Sequence, residues 1–465
     1  MATEFATTEE LKRGIAGILT VQAGGVAIAD EKRLRETLID SLVRTAVFAT
    51  EEETRAAARR LIRRSAAAIG IHAASIQGLY EAMGRGEVKG FTVPAINVRA
   101  LTYDTAQAAF RAALAAGSGA LIFEIARSEI DYTRQRPDEY ACVVIAAAVK
   151  TGYKAPIFLQ GDHFQINAKK YAQDAAAETR AVKDLIWEAI DAGFYNIDID
   201  TSTLVDLNEP TVKAQQRLNY SLAAEMTTMI RDLEPAGVAI SVGGEIGEVG
   251  GKNSTVEELD AFMAGYRETL DKNGVNLKGI SKISVQTGTT HGGVPLADGT
   301  IAQVKLDFAT LEKLSQAARE KYGMAGAVQH GASTLPEAAF DRFPATGTAE
   351  VHLATGFQNI VYDSVHFPAD LRERMYAYLK KEAANERKEG ETEKQFLYKT
   401  RKKGIGPFKQ ELWDLPAATR TALGKELEAQ FGLLFGKLNV GGTLATVNRF
   451  VKPVDVPFPL PASLE

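Results

Sequence analysis

The chain has 465 residues, with 54 Lys plus Arg against 59 Asp plus Glu, a formal net charge of −5. That balance argues against the basic face on which a nucleic-acid binder neutralises phosphates, and 45% apolar with 24% charged residues is the composition of an ordinary globular enzyme. No run of about 18 apolar residues marks a membrane span, the start MATEFATTEELK carries acids where a secretory signal needs a basic and then apolar run, and the single Cys142 cannot form an internal disulfide, so a reducing cytoplasm is the expected compartment.

Three zones follow in chain order. Residues 1–74 are rich in Ala, Arg and Glu and read as a helical extension. Asp30–Ala49 places Leu34, Leu38, Leu42 and Val43 at helical spacing, and Glu51–Ala68 carries Arg55, Arg59, Arg60, Arg63 and Arg64. Five arginines raise the idea of a polyanion site. The simpler reading is a solvated helix face paired with the acids at Glu51–Glu53.

Residues 75–365 alternate short apolar runs with amphipathic stretches. The runs are Phe91–Val98, Gly119–Glu124, Pro156–Gln160, Asn196–Asp200, Val238–Glu245, Ile280–Gln286, Gly326–His330 and Glu350–Leu353. The helical patterns between and after them are Thr105–Ala116, Asp138–Lys150, Ala175–Ala192, Thr211–Leu233, Val256–Leu270, Asp307–Glu320 and Pro336–Phe343. Alternation of this kind predicts a parallel sheet, and eight repeats predict a closed (β/α)₈ TIM barrel, an α/β fold with helical extensions at both ends. An open doubly wound sheet competes, but it would place a glycine-rich phosphate loop after the first strand, and Asn97–Tyr103 has no glycine.

Residues 366–465 return to helix, in Asp370–Lys388 and Ala417–Phe435, and form a C-terminal extension. Arg387–Thr392 and Lys399–Lys403 read as exposed and loosely structured. The end, PVDVPFPLP, cannot be helical and is expected to lie extended over a surface. The Phe and Leu content of Phe431–Phe435 suggests packing against the barrel or a partner subunit, and the apolar stripes of the extensions predict a homo-oligomer.

In such a barrel the chemistry sits at the C-terminal ends of the strands. Those ends read Gly161-Asp162-His163, Asp198-Ile199-Asp200-Thr201-Ser202, Gly243-Gly244-Glu245, Thr287-Gly288-Thr289-Thr290-His291-Gly292-Gly293 and His330-Gly331-Ala332-Ser333, with His352 in the eighth strand. Of six histidines in the chain, four fall at or near these ends. A lone histidine is more often a packed or surface residue than a ligand. Three imidazoles converging on one face near Glu245 make an open divalent site, most readily for zinc, and His163, His291 and His330 are the candidates. Gly288, Gly292, Gly293 and Gly331 leave room for backbone amides to meet an anion, with hydroxyls from Ser333 and Thr289, although they could simply permit tight turns. Asp162 and Asp200 could serve as a proton-transfer acid and a site-shaping carboxylate, or as partners that orient the histidines.

The order of these motifs resembles the class II, metal-dependent ketose-bisphosphate aldolases. Asp162-His163, Asp200-Thr201-Ser202, Glu245-Ile246-Gly247-Glu248-Val249-Gly250-Gly251, Gly288-Thr289-Thr290-His291-Gly292 and His330-Gly331-Ala332-Ser333 match in sequence, and Val93–Val98, with PAIN in its middle, is similar to the family's first strand. The resemblance spans about residues 75–360 and leaves both extensions unexplained. It implies reversible cleavage of a ketose phosphate, such as fructose 1,6-bisphosphate, between C3 and C4. It also implies Zn²⁺ or another divalent metal on His163, His291 and His330, with a monovalent cation as an open addition, and Lewis-acid activation of the carbonyl. On this mapping Asp162 exchanges the C4 hydroxyl proton, and Glu245 holds a second or displaced metal position. Gly292, Gly331 and Ser333 cradle phosphate, and Asn97 meets the substrate.

The departures are specific. The family follows the strand-five Gly-Gly with a long loop bearing a catalytic acid. Here Lys252-Asn253-Ser254 leads at once into a helix with Thr255 and Glu258 as a capping box, leaving Glu248 as the nearest acid. Strand eight reads Glu350-Val351-His352-Leu353-Ala354-Thr355 where the family has Lys-Ile-Asn-Ile-Asp-Thr, so only Thr355 is retained, and His352 enters the pocket. Ile125–Ser128 also differs, with Arg127 as a new contact for a substrate anion. Three functions follow: an aldolase, a metal-dependent sugar epimerase or isomerase on the same scaffold, and a non-catalytic aldolase-like subunit, against which the full set Asp162, His163, His291 and His330 argues.

Overall fold

The structure, a computed structural model, describes residues 3–22, 25–247, 252–288, 296 and 306–464. Eight parallel strands form the barrel: β1 Val93–Asn97, β2 Ile122–Ala126, β3 Ile157–Gln165, β4 Asn196–Asp200, β5 Ser241–Ile246, β6 Lys282–Val285, β7 Ala327–Gln329 and β8 Glu350–Leu353. Each pairs with the next, and β8 pairs back onto β1 through Glu350↔Val93 to Leu353↔Ile96, closing the (β/α)₈ barrel that the alternation predicts. The strands are buried on both faces because helices cover their outer side and the barrel interior their inner side. The helices Thr102–Ala116 and Pro137–Thr151 stop where Gly117 and Gly152 take φ of +62° and +76°, the left-handed cap that a Cβ disfavours. Helix Val256–Asn273 begins with the expected box, Thr255 Oγ1 accepting from Glu258 N at 3.1 Å and Glu258 Oε2 from Thr255 N at 2.7 Å.

Four local expectations are corrected. β3 runs on to Gln165, past Gln160, for a reason taken up below. Pro336–Phe343 is not one helix but a tight turn, Glu337–Ala339, followed by Arg342–Ala345. The first zone is not all helix: Leu19–Gln22 and Gly25–Ile28 pair antiparallel, a hairpin that Val21, Val26 and Ile28 pack against the core. Lys399–Lys403 is not loose: helix Glu393–Thr400 runs into the turn Arg401–Gly404, and the Arg401 guanidinium is buried on Asp363 and Asn359.

The arginine-rich helix, Glu52–Ala68, is corrected most. It is docked on the barrel rather than solvated, although Arg55 keeps the expected pairing, with Glu52. Arg59 and Arg63 both reach Asp138 at the start of the barrel helix Pro137–Thr151, at 3.1 and 2.8 Å. Arg63 also lies 4.4 Å from the ring centroid of Phe458, and Arg64 pairs with Asp455 at 3.2 Å, so the extended proline-rich tail is clamped by the same helix. At the other end, Ala417–Lys437 packs along Thr102–Ala116, and Phe431 meets Phe357 with ring centroids 4.6 Å apart. Its apolar stripe is covered by the chain's own barrel. Asp138→Ala strands the buried Arg63 without its carboxylate. The expected loss is about 1–3 kcal/mol in urea unfolding, less than for a fully buried pair because Asp138 is a third exposed.

Candidate active site

Asp162 and His163 are neighbours in β3, and regular strand alternation would send them to opposite faces. A bulge prevents this. Pairing with β4 runs Gly161↔Ile197 and then Phe164↔Ile199, so one side gains a residue. His163 takes φ of +41°, rare for a side chain with a Cβ, and the Phe164 ring lies over Gly161, where a Cβ would come within 2.5 Å of it. Both residues therefore face the open C-terminal end of the barrel.

Asp162 is held from several sides. Asn97, at the end of β1, donates to its Oδ2 at 2.7 Å and to Glu129 at 3.0 Å. Its Oδ1 lies 3.8 Å from His163 Nε2, 3.6 Å from His330 Nε2 and 3.1 Å from His352 Nδ1. Burial would raise this carboxyl, but the three imidazoles, His163 foremost, hold it well below the usual carboxylate range. On its other edge His163 Nδ1 meets Asp200 Oδ2 and Glu245 Oε2, each at 3.0 Å. Asp200 is fixed in turn by Ser202, whose Oγ donates at 2.7 Å. Burial and the Asp200 charge push Glu245 up to about 7.

These atoms form two groupings that could hold a metal, Asp162–His163–His330 and His163–Asp200–Glu245. The donor set fits a divalent ion of the zinc type: imidazole nitrogens with carboxylates behind them that set the ring tautomer. The field fits too. Burial alone would lower the proton affinity of His163, yet Glu245 and Asp162 raise it well above its ordinary value, and a site that draws a proton this strongly draws a cation. His291, Gly292 and the other expected positions at Thr289, Glu248, Gly250 and Gly251 lie outside the described residues.

A pocket of about 380 Å³ opens above this centre. Asn97, Asp162, His163, His330, Gly331, Ser333, His352 and Thr355 all line it; Glu245 sits just behind His163. Gly331 has φ of +68°, and Ser333 Oγ accepts from Thr355 N at 3.1 Å, so strands β7 and β8 meet at one corner. Arg127 lines the pocket as well, but its guanidinium is engaged by Glu178 and by the Gln165 carbonyl at 2.7 Å.

Sequence reasoning missed what lies beneath. His352 Nε2 is 2.6 Å from Glu350 Oε1, and its Nδ1 is 3.0 Å from Glu124 Oε1. Glu350 accepts from Lys282 Nζ and from Gln160 Nε2 at 2.8 Å, and Tyr80 donates to it from below. Lys282 also meets Asp198 Oδ2 at 3.0 Å. Burial and the Asp162 charge push Glu124 up to about 8, and burial carries Asp198 to about 6 despite Lys282. Glu124, Lys282 and Glu350 were visible only as charges inside otherwise apolar strand runs.

The family model described as fructose-bisphosphate aldolase class-II matches residues 78–406, and the chain belongs to that family. Its members generally depend on a divalent metal. No curated protein sequence matches the chain. Among solved structures, a probable tagatose 6 phosphate kinase from Sinorhizobium meliloti 1021 is 20% identical with a TM-score of 0.52, over 80% of this chain and 96% of that one. A fructuronate-tagaturonate epimerase from Cohnella laeviribosi is 13% identical with a TM-score of 0.56, over 92% of this chain and 90% of that one. Both likenesses are of fold. Among the described residues, no helix is long and apolar enough to cross a membrane.

Asp200→Asn removes the carboxylate that orients His163. It should weaken zinc binding about 10–100-fold in competition with a chromophoric chelator, and His163→Ala should abolish stoichiometric zinc altogether.

Proposed function

We propose that the chain is a divalent-metal-dependent lyase that cleaves a ketose phosphate, such as fructose 1,6-bisphosphate, reversibly between C3 and C4. The observation that carries this is the convergence of Asp162, His163 and His330 at the floor of an open pocket, with Asp162 held ionised. His163 and His330, with His291 by the family motif, would hold the metal, and a divalent ion bound there supplies Lewis-acid polarisation of the substrate carbonyl. Asp162 takes the C4 hydroxyl proton as the C3–C4 electron pair withdraws onto C3, leaving an enediolate and an aldehyde. Asn97 fixes the accepting oxygen's carboxylate by its 2.7 Å hydrogen bond. Gly331, Ser333 and Thr355 present the corner that receives phosphate.

A second reading is epimerisation of a keto sugar. It is favoured by His352, which stands 3.1 Å from Asp162 where the family has asparagine. Cleavage, rotation of the aldehyde and its re-addition to the same enediolate would epimerise the carbinol carbon, and a second proton carrier beside Asp162 would return the hydroxyl proton to the rotated oxygen. The Cohnella laeviribosi protein, whose fold matches nearly the whole chain, carries an epimerase name.

The deciding experiment offers fructose 1,6-bisphosphate before and after chelation and zinc restoration. Triose phosphate release that is lost on chelation and returns with zinc is the expected result. Stoichiometric metal with epimerised product and no triose would replace the lyase by the epimerase. Asp162→Ala should bind zinc and lose turnover about 10²–10⁴-fold; full cleavage by that variant would remove Asp162 from its role. His352→Asn should shift the substrate profile or the product, and an unchanged profile and product would take His352 out of the chemistry.

A further inference from the structure

One wall of the pocket does not come from the barrel. The turn Arg401–Gly404, more than 35 residues beyond the barrel, brings Lys402 to the rim. Its position is built. Arg401 beside it is buried, forks onto Asp363 at 2.6 and 3.2 Å, and its carbonyl accepts from Tyr362 Oη at 2.7 Å. Four residues on, Gly406 N donates to the Tyr132 carbonyl at 3.1 Å, and a Cβ on Gly406 would stand 2.4 Å from that oxygen. Only glycine allows this approach. The segment is thereby stitched to helix Arg127–Thr133, which follows β2 and forms the neighbouring wall.

Lys402 reaches over the Tyr132 ring, its Nζ 5.5 Å from the centroid. Arg99, the next cation along the wall, is neutralised by Glu129 and reaches Thr355 Oγ1 at 3.2 Å, at the corner shared with Ser333. Lys402 has no such partner: among the described residues no carboxylate lies within 4.0 Å of its ammonium, and the stronger charge facing it is that of Arg99. Burial and the Arg99 charge lower its proton affinity. A half-buried ammonium with no carboxylate in direct contact is a cost in the empty pocket, and an anion entering the pocket offsets it.

We propose that Lys402, delivered by the C-terminal extension, is a specificity residue that binds an anionic group of the sugar substrate, phosphate or carboxylate. This rests on the reading of the pocket as a sugar site, but not on the cleavage step. The chemistry at the metal end is common to the family reading. Lys402 adds a requirement for charge on the substrate, imposed from outside the barrel.

Binding tests it without turnover. In the full-length chain loaded with zinc and carrying Asp162→Ala, the ligands are fructose 1-phosphate, fructose 6-phosphate, fructose 1,6-bisphosphate and fructuronate, with neutral fructose as control. Adding Lys402→Met should weaken at least one anionic ligand about 10–100-fold, the effect of losing a charge-assisted contact. Neutral fructose should be unaffected, the melting temperature should hold, and Lys402→Arg should restore most of the loss. Loss confined to the phosphates or to fructuronate identifies the anion. Equal affinities in Lys402→Met, equal loss of neutral fructose, or no binding by the parent would each overturn the inference. Lys402-dependent binding by a wild-type chain that releases no triose would leave it standing and remove the cleavage reading instead.

Discussion

Lys282 is 1% exposed and sits on the barrel axis between Asp198 and Glu350. Taking such charges out of water costs several kcal/mol each unless geometry and hydrogen bonds are nearly complete. Here they are supplied from three strands and one helix: Asp198 from β4, Glu350 from β8, Gln160 from β3, and Tyr80, which donates to Glu350, from the barrel's lower end. The row has a gap cut for it. Asp198, Gly243 and Lys282 are register partners across β4, β5 and β6, and a Cβ on Gly243 would meet Asp198 Oδ1 at 2.3 Å and Lys282 Cε at 2.9 Å. An interior that most barrels fill with branched apolar side chains is here a column of fixed charge.

The column ends in the site. Glu350 holds one edge of His352, and the other edge faces Asp162 and Glu124. Asp162 is thus the topmost member of a hydrogen-bonded chain that begins at Tyr80, and its orientation is set from the core as well as from Asn97. The β3 bulge completes the arrangement by turning two consecutive residues to one face. His163 then works on both edges, with acids behind it and the pocket in front.

The barrel was legible because buried parallel strands are short apolar runs, and reading their ends picked out Asp162, His163, His330, Ser333 and Thr355, which the fold brings to one pocket. The bulge was not legible: strict alternation assigns Asp162 and His163 opposite faces, and nothing in Gly161–Gln165 announces the left-handed backbone at His163. The charged interior escaped for a related reason, since one Glu or Lys within an apolar run does not show that its partners are charges on other strands. Arg63 and Lys402 failed on distance. A helix pattern shows what a residue's own neighbours do, and their partners, Asp138 and the Tyr132 wall, lie 75 and 270 positions away. The hairpin at Leu19–Ile28 did leave a signal, β-branched residues either side of Gly24-Gly25, which the surrounding helical composition masked.

The contact of Gly406 with the Tyr132 carbonyl has a bearing on how the molecule is born. All eight strands are synthesised before residue 402, so a barrel emerging from the ribosome can close while its mouth still lacks one wall. The floor of the pocket, with Asp162, His163 and His330, and the rim that carries Lys402 therefore mature at different times. On the reading proposed above, the pocket's selectivity would arrive only when the last fifth of the polypeptide folds back across the opening.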